Sequence, residues 1–141
     1  VWLYNPGTSA ITVTYATRNQ SNQTANLANN GISYAVGTIL TGSAPGNVYG
    51  PIVELNNDGT VTNPPEGAWI GIVNRSGGND PSIESKVTNA RNAGAAAVII
   101  VRNNNSNSFE TAGTQSIPVV GVINSVGTSL RNAGIGAGWV R

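Results

Sequence analysis

Few residue types in this sequence could carry catalysis. The chain has neither histidine nor cysteine, so it lacks the usual general base near neutral pH, the commonest transition-metal ligand and a thiol nucleophile. The order Gly127-Thr128-Ser129 also occurs around some serine nucleophiles, but an attacking serine needs a base. The single lysine, Lys86, falls on a predicted helix whose position is set by packing. We therefore expect no catalytic residue and no enzyme activity.

The carboxylates offer two further kinds of chemistry. Paired acids can hydrolyse glycosides, and Glu54, Asn56 and Asp58 with nearby carbonyls could hold calcium, although their spacing lacks the full loop pattern. The structural alternative is simpler, because acids in the first turn of a helix are favoured by its dipole and Asp58 belongs to a turn. We expect neither a metal nor a cofactor. The six acids are Glu54, Asp58, Glu66, Asp80, Glu84 and Glu110.

Two polar loops are the better candidates for a binding site. Gly77 and Gly78 precede a predicted helix start, where backbone N–H groups can receive an anion, and Arg75 lies beside them. Loop flexibility explains the glycine pair more simply, and a bound peptide carboxylate is the sharper hypothesis. A second loop, Asn103 to Asn107, should lie at a neighbouring strand end, where binding residues usually cluster. The predicted ligand-binding residues are Arg75, Ser76, Gly77, Gly78, Asn79, Asn103 and Asn104.

The composition limits the partners. Only 9% of residues are charged and the net charge is +1, so no strong field attracts nucleic acid or anionic lipid. The longest apolar run, Ala93 to Val101, is far shorter than the roughly 20 residues that span a bilayer. The neutral polar surface favours an extracellular protein. The length of 141 residues predicts one domain, residues 1–141.

The stretch from Asp80 to Val101 predicts a helix followed by a strand. Asp80 can cap the helix and Pro81 suits its first position. An apolar stripe at helical spacing comes next: Ile83, Val87, Ala90 and Gly94. Gly94 supplies the left-handed residue that ends a helix. The apolar run 98–101 is typical of a strand covered on both faces.

The remaining segments predict a mixed α/β domain. Residues 18–31 are polar and without period, which indicates a loop, and the Asp58-Gly59 turn indicates a tight hairpin between residues 53–55 and Val61. A second helix begins near Ser125 and ends at Gly134. We expect a bent sheet or open barrel of about six to eight strands, with both helices packed at one side. The predicted strands fall at residues 10–16, 32–40, 48–55 (bent at Pro51), 69–73, 117–123 and 139–140.

The order of residues from Gly67 to Ile135 resembles the protease-associated (PA) domain family. The resemblance rests on the pieces 67–75, Ile83, 86–90, 93–101 and 117–122. It implies a small α/β domain with a barrel-like sheet, found as a non-catalytic insert or neighbour in secreted and vacuolar proteases, aminopeptidases and sorting receptors. Family members commonly show Arg-Gly-x-Cys-x-Phe between the strand and the helix. Here residues 75–83 are longer and lack the cysteine, so only Arg75 carries over.

The resulting expectation is a secreted, non-catalytic module that binds peptide or protein, beside a protease domain or as an independent unit. The alternative is a carbohydrate-binding extracellular module, suggested by Trp2, Trp139 and the asparagine-rich loops. Glycosylation is possible in a eukaryotic source. The acceptor triplets begin at Asn19, Asn22, Asn74 and Asn104.

Overall fold

A computed structural model describes residues 9–13, 23–29, 32–46, 48–104, 108–134 and 138–140. In these ranges the chain forms nine strands and two helices. The strands are β1 (Ser9–Val13), β2 (Gln23–Asn29), β3 (Ile32–Ile39), β4 (Val48–Gly50), β5 (Ile52–Glu54), β6 (Ile70–Arg75), β7 (Ala97–Arg102), β8 (Val119–Val122) and β9 (Gly138–Val140). The helices are α1 (Ile83–Asn92) and α2 (Asn124–Gly134). No helix in the described ranges is both long and apolar enough to cross a membrane.

All nine strands join one sheet in the order β4-β9-β1-β2-β3-β8-β7-β6-β5. Strands β5, β6, β7 and β8 are mutually parallel, whereas β3 is antiparallel to both of its neighbours. Strands β4 and β9, from the far end of this order, also lie close to β6, so the sheet curls. The predicted mixed α/β class with two helices is confirmed. The predicted count of six to eight strands is wrong, although five adjacent strands, β3-β8-β7-β6-β5, hold the described core.

Strand β7 explains why the two helices lie apart. Its residues 97–101 are all buried, and their side chains alternate between two apolar clusters. Ile99 packs in the cluster that contains Leu130 of α2, whereas Ile100 packs in the cluster that contains Val87 of α1. The prediction that both helices pack at one side is therefore wrong. A parallel strand that is apolar on both faces needs cover on both, and one helix serves each face.

Helix α1 follows its predicted stripe but begins differently. Ile83, Val87 and Ala90 are fully buried, and the residue that ends the helix, Gly94, has φ +106°. The N-cap is Ser82, whose hydroxyl accepts a hydrogen bond from the Ser85 amide at 3.2 Å. The expected cap by Asp80 is wrong, because that carboxylate is engaged by other groups described below.

Two predicted connections also differ. The polar segment 18–31 contains β2, which pairs with β1 and β3, so backbone pairing on both sides overrides its weak strand propensity. The turn at Gly59 forms, with its N–H donating to the Asn56 carbonyl at 2.8 Å. It closes no hairpin, because β5 pairs parallel with β6. Val61 instead packs against the apolar cluster beneath α1.

Two prolines lie at strand boundaries, where a residue without an N–H is tolerated. Pro51 divides the predicted strand 48–55 into β4 and β5, which pair with β9 and β6 respectively. Pro118 directly precedes β8, at the position where a missing N–H costs least. Trp69 is 1% exposed and belongs to the core, as its place in the predicted buried strand 69–73 indicates, although β6 begins at Ile70.

Candidate functional site

The predicted loops meet at one end of the parallel strands. Arg75 and Arg102 are the last residues of β6 and β7 and are register partners. The side-chain amide of Asn103 donates to the Ser76 carbonyl at 3.1 Å, which joins the two loops. We call residues 75–80 and 102–104 the carboxyl edge, and residues 75–79 the ridge. Ligands of α/β sheets commonly bind beyond the carboxyl ends of parallel strands.

The ridge exposes its backbone at a tight turn. The amide of Asp80 donates to the Gly77 carbonyl at 3.2 Å. Gly77 and Gly78 have φ +84° and +63°, a region that side-chain-bearing residues rarely adopt. A Cβ atom added at either glycine would meet nothing within 4 Å. An extended ligand could therefore approach this part of the backbone closely.

Arg75 is an internal anchor of the ridge. Its Nε donates to Glu110 Oε1 at 2.5 Å, and its Nη1 donates to the Asp80 carbonyl at 3.3 Å and to Asp80 Oδ2 at 3.4 Å. Only 12% of the arginine side chain is exposed. Both of its carboxylate partners belong to the chain, so its charge is already compensated.

A buried lysine, which the sequence reasoning did not assign to the site, supports the ridge from below. The Lys86 side chain is 0% exposed, and its Nζ lies 2.9 Å from Asp80 Oδ2. The same nitrogen donates to the carbonyls of Asn57 at 2.6 Å and Asn74 at 2.7 Å. One side chain thereby ties α1 to the turn after β5, to the end of β6 and to the ridge. The signal in the sequence is its position three residues after Ile83, on the apolar face of α1.

The carboxylate of Asp80 lies at the centre of this network, where it pairs with both Arg75 and Lys86. Burial would raise the pKa of its carboxyl, but hydrogen bonds from the Ser76 amide, Lys86 and Asn57 and the charge of Lys86 outweigh burial. The pKa of Asp80 is therefore held well below its ordinary range. The carboxylate stays ionised at neutral pH and holds the ridge in its turn.

Arg102 lies in a different environment from its register partner. Its guanidinium carbon lies over the Phe109 ring, 5.7 Å from the ring centroid, within the range of a cation–π contact. Its Nε is buried and has no hydrogen-bond partner among the described residues. Phe109 is held in turn against Gly121, where an added Cβ would come within 2.6 Å of the ring. Sequence reasoning missed this arginine, since nothing in the sequence shows which strand-end arginine lacks an acid.

The other residues that the sequence offers for catalysis, metal binding or sugar binding do not come together in one site within the described ranges. Asp58 accepts hydrogen bonds from Thr60 in its own turn, and Glu54 pairs with Arg131 at 2.8 Å. No group of three metal-ligating side chains occurs within the described ranges. The side chains of Ser129 and Trp139, and all of Trp2, lie outside the described part of the chain.

Comparisons with known proteins agree with this architecture. The PA domain family model matches residues 12–130. An aminopeptidase from Aneurinibacillus sp. strain AM-1 superposes with a TM-score of 0.64 at 24% identity, over 89% of this chain and 30% of that one. A zinc aminopeptidase from Bacillus subtilis gives 0.57 at 22% identity, over 92% and 29%. Comparison with curated protein sequences gives no match.

The extent of these matches separates fold from activity. The chain spans less than a third of the length of the two aminopeptidases. At these sequence identities the superpositions establish a shared fold only. The activity of the longer proteins is not inferred for this chain from them. The family model, by contrast, covers most of the sequence, including β2 to β8 and α1. The chain belongs to the PA domain family.

Proposed function

We propose that this chain is a secreted, non-catalytic binding module that serves a protease, with a peptide or protein segment as its ligand. The ridge with Asn103 and Asn104 is the proposed contact surface. In this proposal the partner catalytic domain is an aminopeptidase, because both similar structures named above are aminopeptidases of which this fold is one part.

The meeting of two polar loops at the carboxyl edge carries the proposal. Asn103 holds the ridge at Ser76, and the exposed glycine turn leaves room for a peptide backbone. The ion network beneath keeps this surface in one conformation before a ligand arrives, which lowers the entropic cost of binding. These features suit recognition more than chemistry, since both acids near the ridge are engaged by Arg75.

Binding to arrays of mixed-sequence peptides, with a glycan array in parallel, tests the proposal. We expect peptide binding that Asn79→Ala weakens, because Asn79 is exposed on the ridge. Asn92→Ala is the matched control, since Asn92 is exposed at the other end of α1. Reproducible sugar binding without peptide binding would contradict the proposal and favour the carbohydrate-binding alternative.

A turnover assay tests the non-catalytic part. We expect the purified chain to release no p-nitroaniline from aminoacyl-p-nitroanilide substrates, with or without added zinc. Hydrolysis that survives repurification and is abolished by a single substitution in this chain would contradict the proposal.

A further inference from the structure

One cation at the carboxyl edge has no carboxylate partner among the described residues. Three cationic side chains, Arg75, Lys86 and Arg102, lie at or beneath this edge, and two carboxylates, Asp80 and Glu110, lie among them. Both carboxylates are engaged by Arg75, and Asp80 also pairs with Lys86. Arg102 pairs with no carboxylate of the described residues within 4 Å. Arg102 is therefore a cation next to the ridge without a carboxylate partner in the described part of the chain.

Arg102 also carries an unmet hydrogen-bond donor. Its Nε is buried from solvent without a partner in the described part of the chain, and a buried donor left unpaired is costly. Native proteins rarely keep such a donor without a reason. The side chain also has a defined neighbour, because its guanidinium lies over the Phe109 ring and that ring packs against Gly121.

A planar guanidinium that lacks a carboxylate partner among the described residues has a specific chemical preference. Arginine can bind a carboxylate through two parallel N–H donors, and a cation–π contact with an aromatic ring restricts the positions of those donors. Arg75 cannot offer this, since its Nε and Nη1 already donate to Glu110 and Asp80. The arginine of the carboxyl edge that is available to bind an anion is therefore Arg102, at the end of β7.

We propose that Arg102 is the carboxylate-binding residue of this domain, and that its ligand is a peptide bearing a free carboxylate next to the segment that lies on the ridge. The inference rests on the proposed function and adds the chemical class of the ligand. The carboxylate is either the peptide's C-terminus or an acidic side chain, and the experiment below distinguishes the two sources.

Fluorescence anisotropy with labelled pentapeptide pools tests this inference. The first mixed-sequence pool contains no aspartate or glutamate and has a free C-terminal carboxylate. The second is the same pool as C-terminal amides, and the third is that amidated pool with aspartate at the central position. We expect the free-acid pool or the aspartate pool to bind about tenfold more tightly than the plain amide pool. The pool that gains affinity identifies the source of the carboxylate.

Variants separate Arg102 from general charge. Arg102→Gln should abolish the difference between the pools, whereas Arg102→Lys, which keeps the charge but loses the paired donors, should retain part of it. Arg131→Gln is the control, because Arg131 pairs with Glu54 and should leave the difference unchanged. Thermal unfolding of each variant shows that the fold is kept.

Two results would overturn the inference. In the first, all pools bind equally well, or Arg102→Gln and Arg102→Lys keep the full difference; the proposed function then survives without its carboxylate. In the second, no pool binds at all, which removes the proposed peptide-binding function as well.

Discussion

At the scale of single residues, Asp80 and Lys86 decide whether the ridge exists in one conformation. Asp80 accepts from the Ser76 amide at 3.0 Å and from the Asn57 side chain at 2.6 Å, besides its contacts with two cations. Lys86 is as buried as the leucines and isoleucines of the core. A buried ion pair is expensive to form and more expensive to break, so its partners act together.

Lys86→Met should destabilise the domain by about 3 kcal/mol, because Asp80 then stays buried with one cation fewer and two backbone carbonyls lose their donor. Arg131→Gln breaks the more exposed pair with Glu54 and should cost less than about 1 kcal/mol. Urea unfolding of both variants measures the contrast. Equal losses would show that the Lys86 network contributes no more than a surface pair.

The pH dependence of stability follows from Asp80. Its pKa is lowered in the folded chain, so below about pH 4 the unfolded state takes up the proton first and the stability contributed by Asp80 declines with falling pH. Above that range both states are ionised and the contribution is complete. The stability difference between the original chain and Asp80→Asn should therefore shrink from about pH 6 to about pH 3 in urea titrations. A difference that stays constant over this range would show that the pKa is not lowered.

At the scale of elements, close approaches at two glycines fix the positions of α1 and α2. Gly59 has φ +89°, and an added Cβ would lie 2.0 Å from the Lys86 carbonyl oxygen in α1. Gly127 in α2 faces Val101 of β7, with an added Cβ 2.3 Å from a valine methyl. Both contacts need a residue without a side chain.

Gly59→Ala should lose at least about 3 kcal/mol, since steric overlap with α1 adds to the cost of a left-handed backbone. Gly67→Ala is the matched control: φ is +77° there and an added Cβ meets nothing within 4 Å. That variant should lose only about 1–2 kcal/mol from the backbone alone. Similar losses in the two variants would contradict the packed turn.

In Gly127→Ala, helix propensity and packing have opposite effects on the stability of the domain. Alanine is favoured over glycine inside a helix by about 1 kcal/mol, but overpacking against Val101 costs about 1–3 kcal/mol. We expect a net loss of about 1 kcal/mol. Thr128→Ala on the exposed side of α2 should change stability by less than about 0.5 kcal/mol in either direction. A stabilised Gly127→Ala would show that α2 does not pack closely on β7.

Sequence patterns predicted those elements whose apolar residues carry a clear period. The stripe of α1, the run of β7 and the glycine after α1 all lie where the pattern puts them. The sequence pattern could not predict β2, because its residues are largely polar and it is held by pairing with the neighbouring strands. Nor could it give the pairing of Arg75 with Glu110, because the two residues are 35 positions apart in sequence. The candidate loops were predictable as loops, but their supporting network depends on the tertiary fold.

At the scale of the whole molecule, the curled sheet keeps the apolar core away from the carboxyl edge, the proposed contact surface. Four parallel strands, β5 to β8, pack their apolar residues between α1 and α2, and the chain leaves β6 and β7 as polar loops at the same edge. With a net charge of +1 over 141 residues, long-range attraction contributes little. Under the proposed function, ligand binding therefore depends on local contacts, chiefly those of the ridge and Arg102.

The central claim is that the carboxyl edge is where this PA domain meets its ligand. Two-dimensional ¹H–¹⁵N NMR of the intact chain, titrated with the free-acid peptide pool, tests it most directly. We expect shifts concentrated at the amides of Gly77, Gly78, Asn79 and Asn103 and at the side-chain Nε–H of Arg102, with the α2 face unchanged. Shifts confined to α2 or to the strands around β1, with none at this edge, would contradict it.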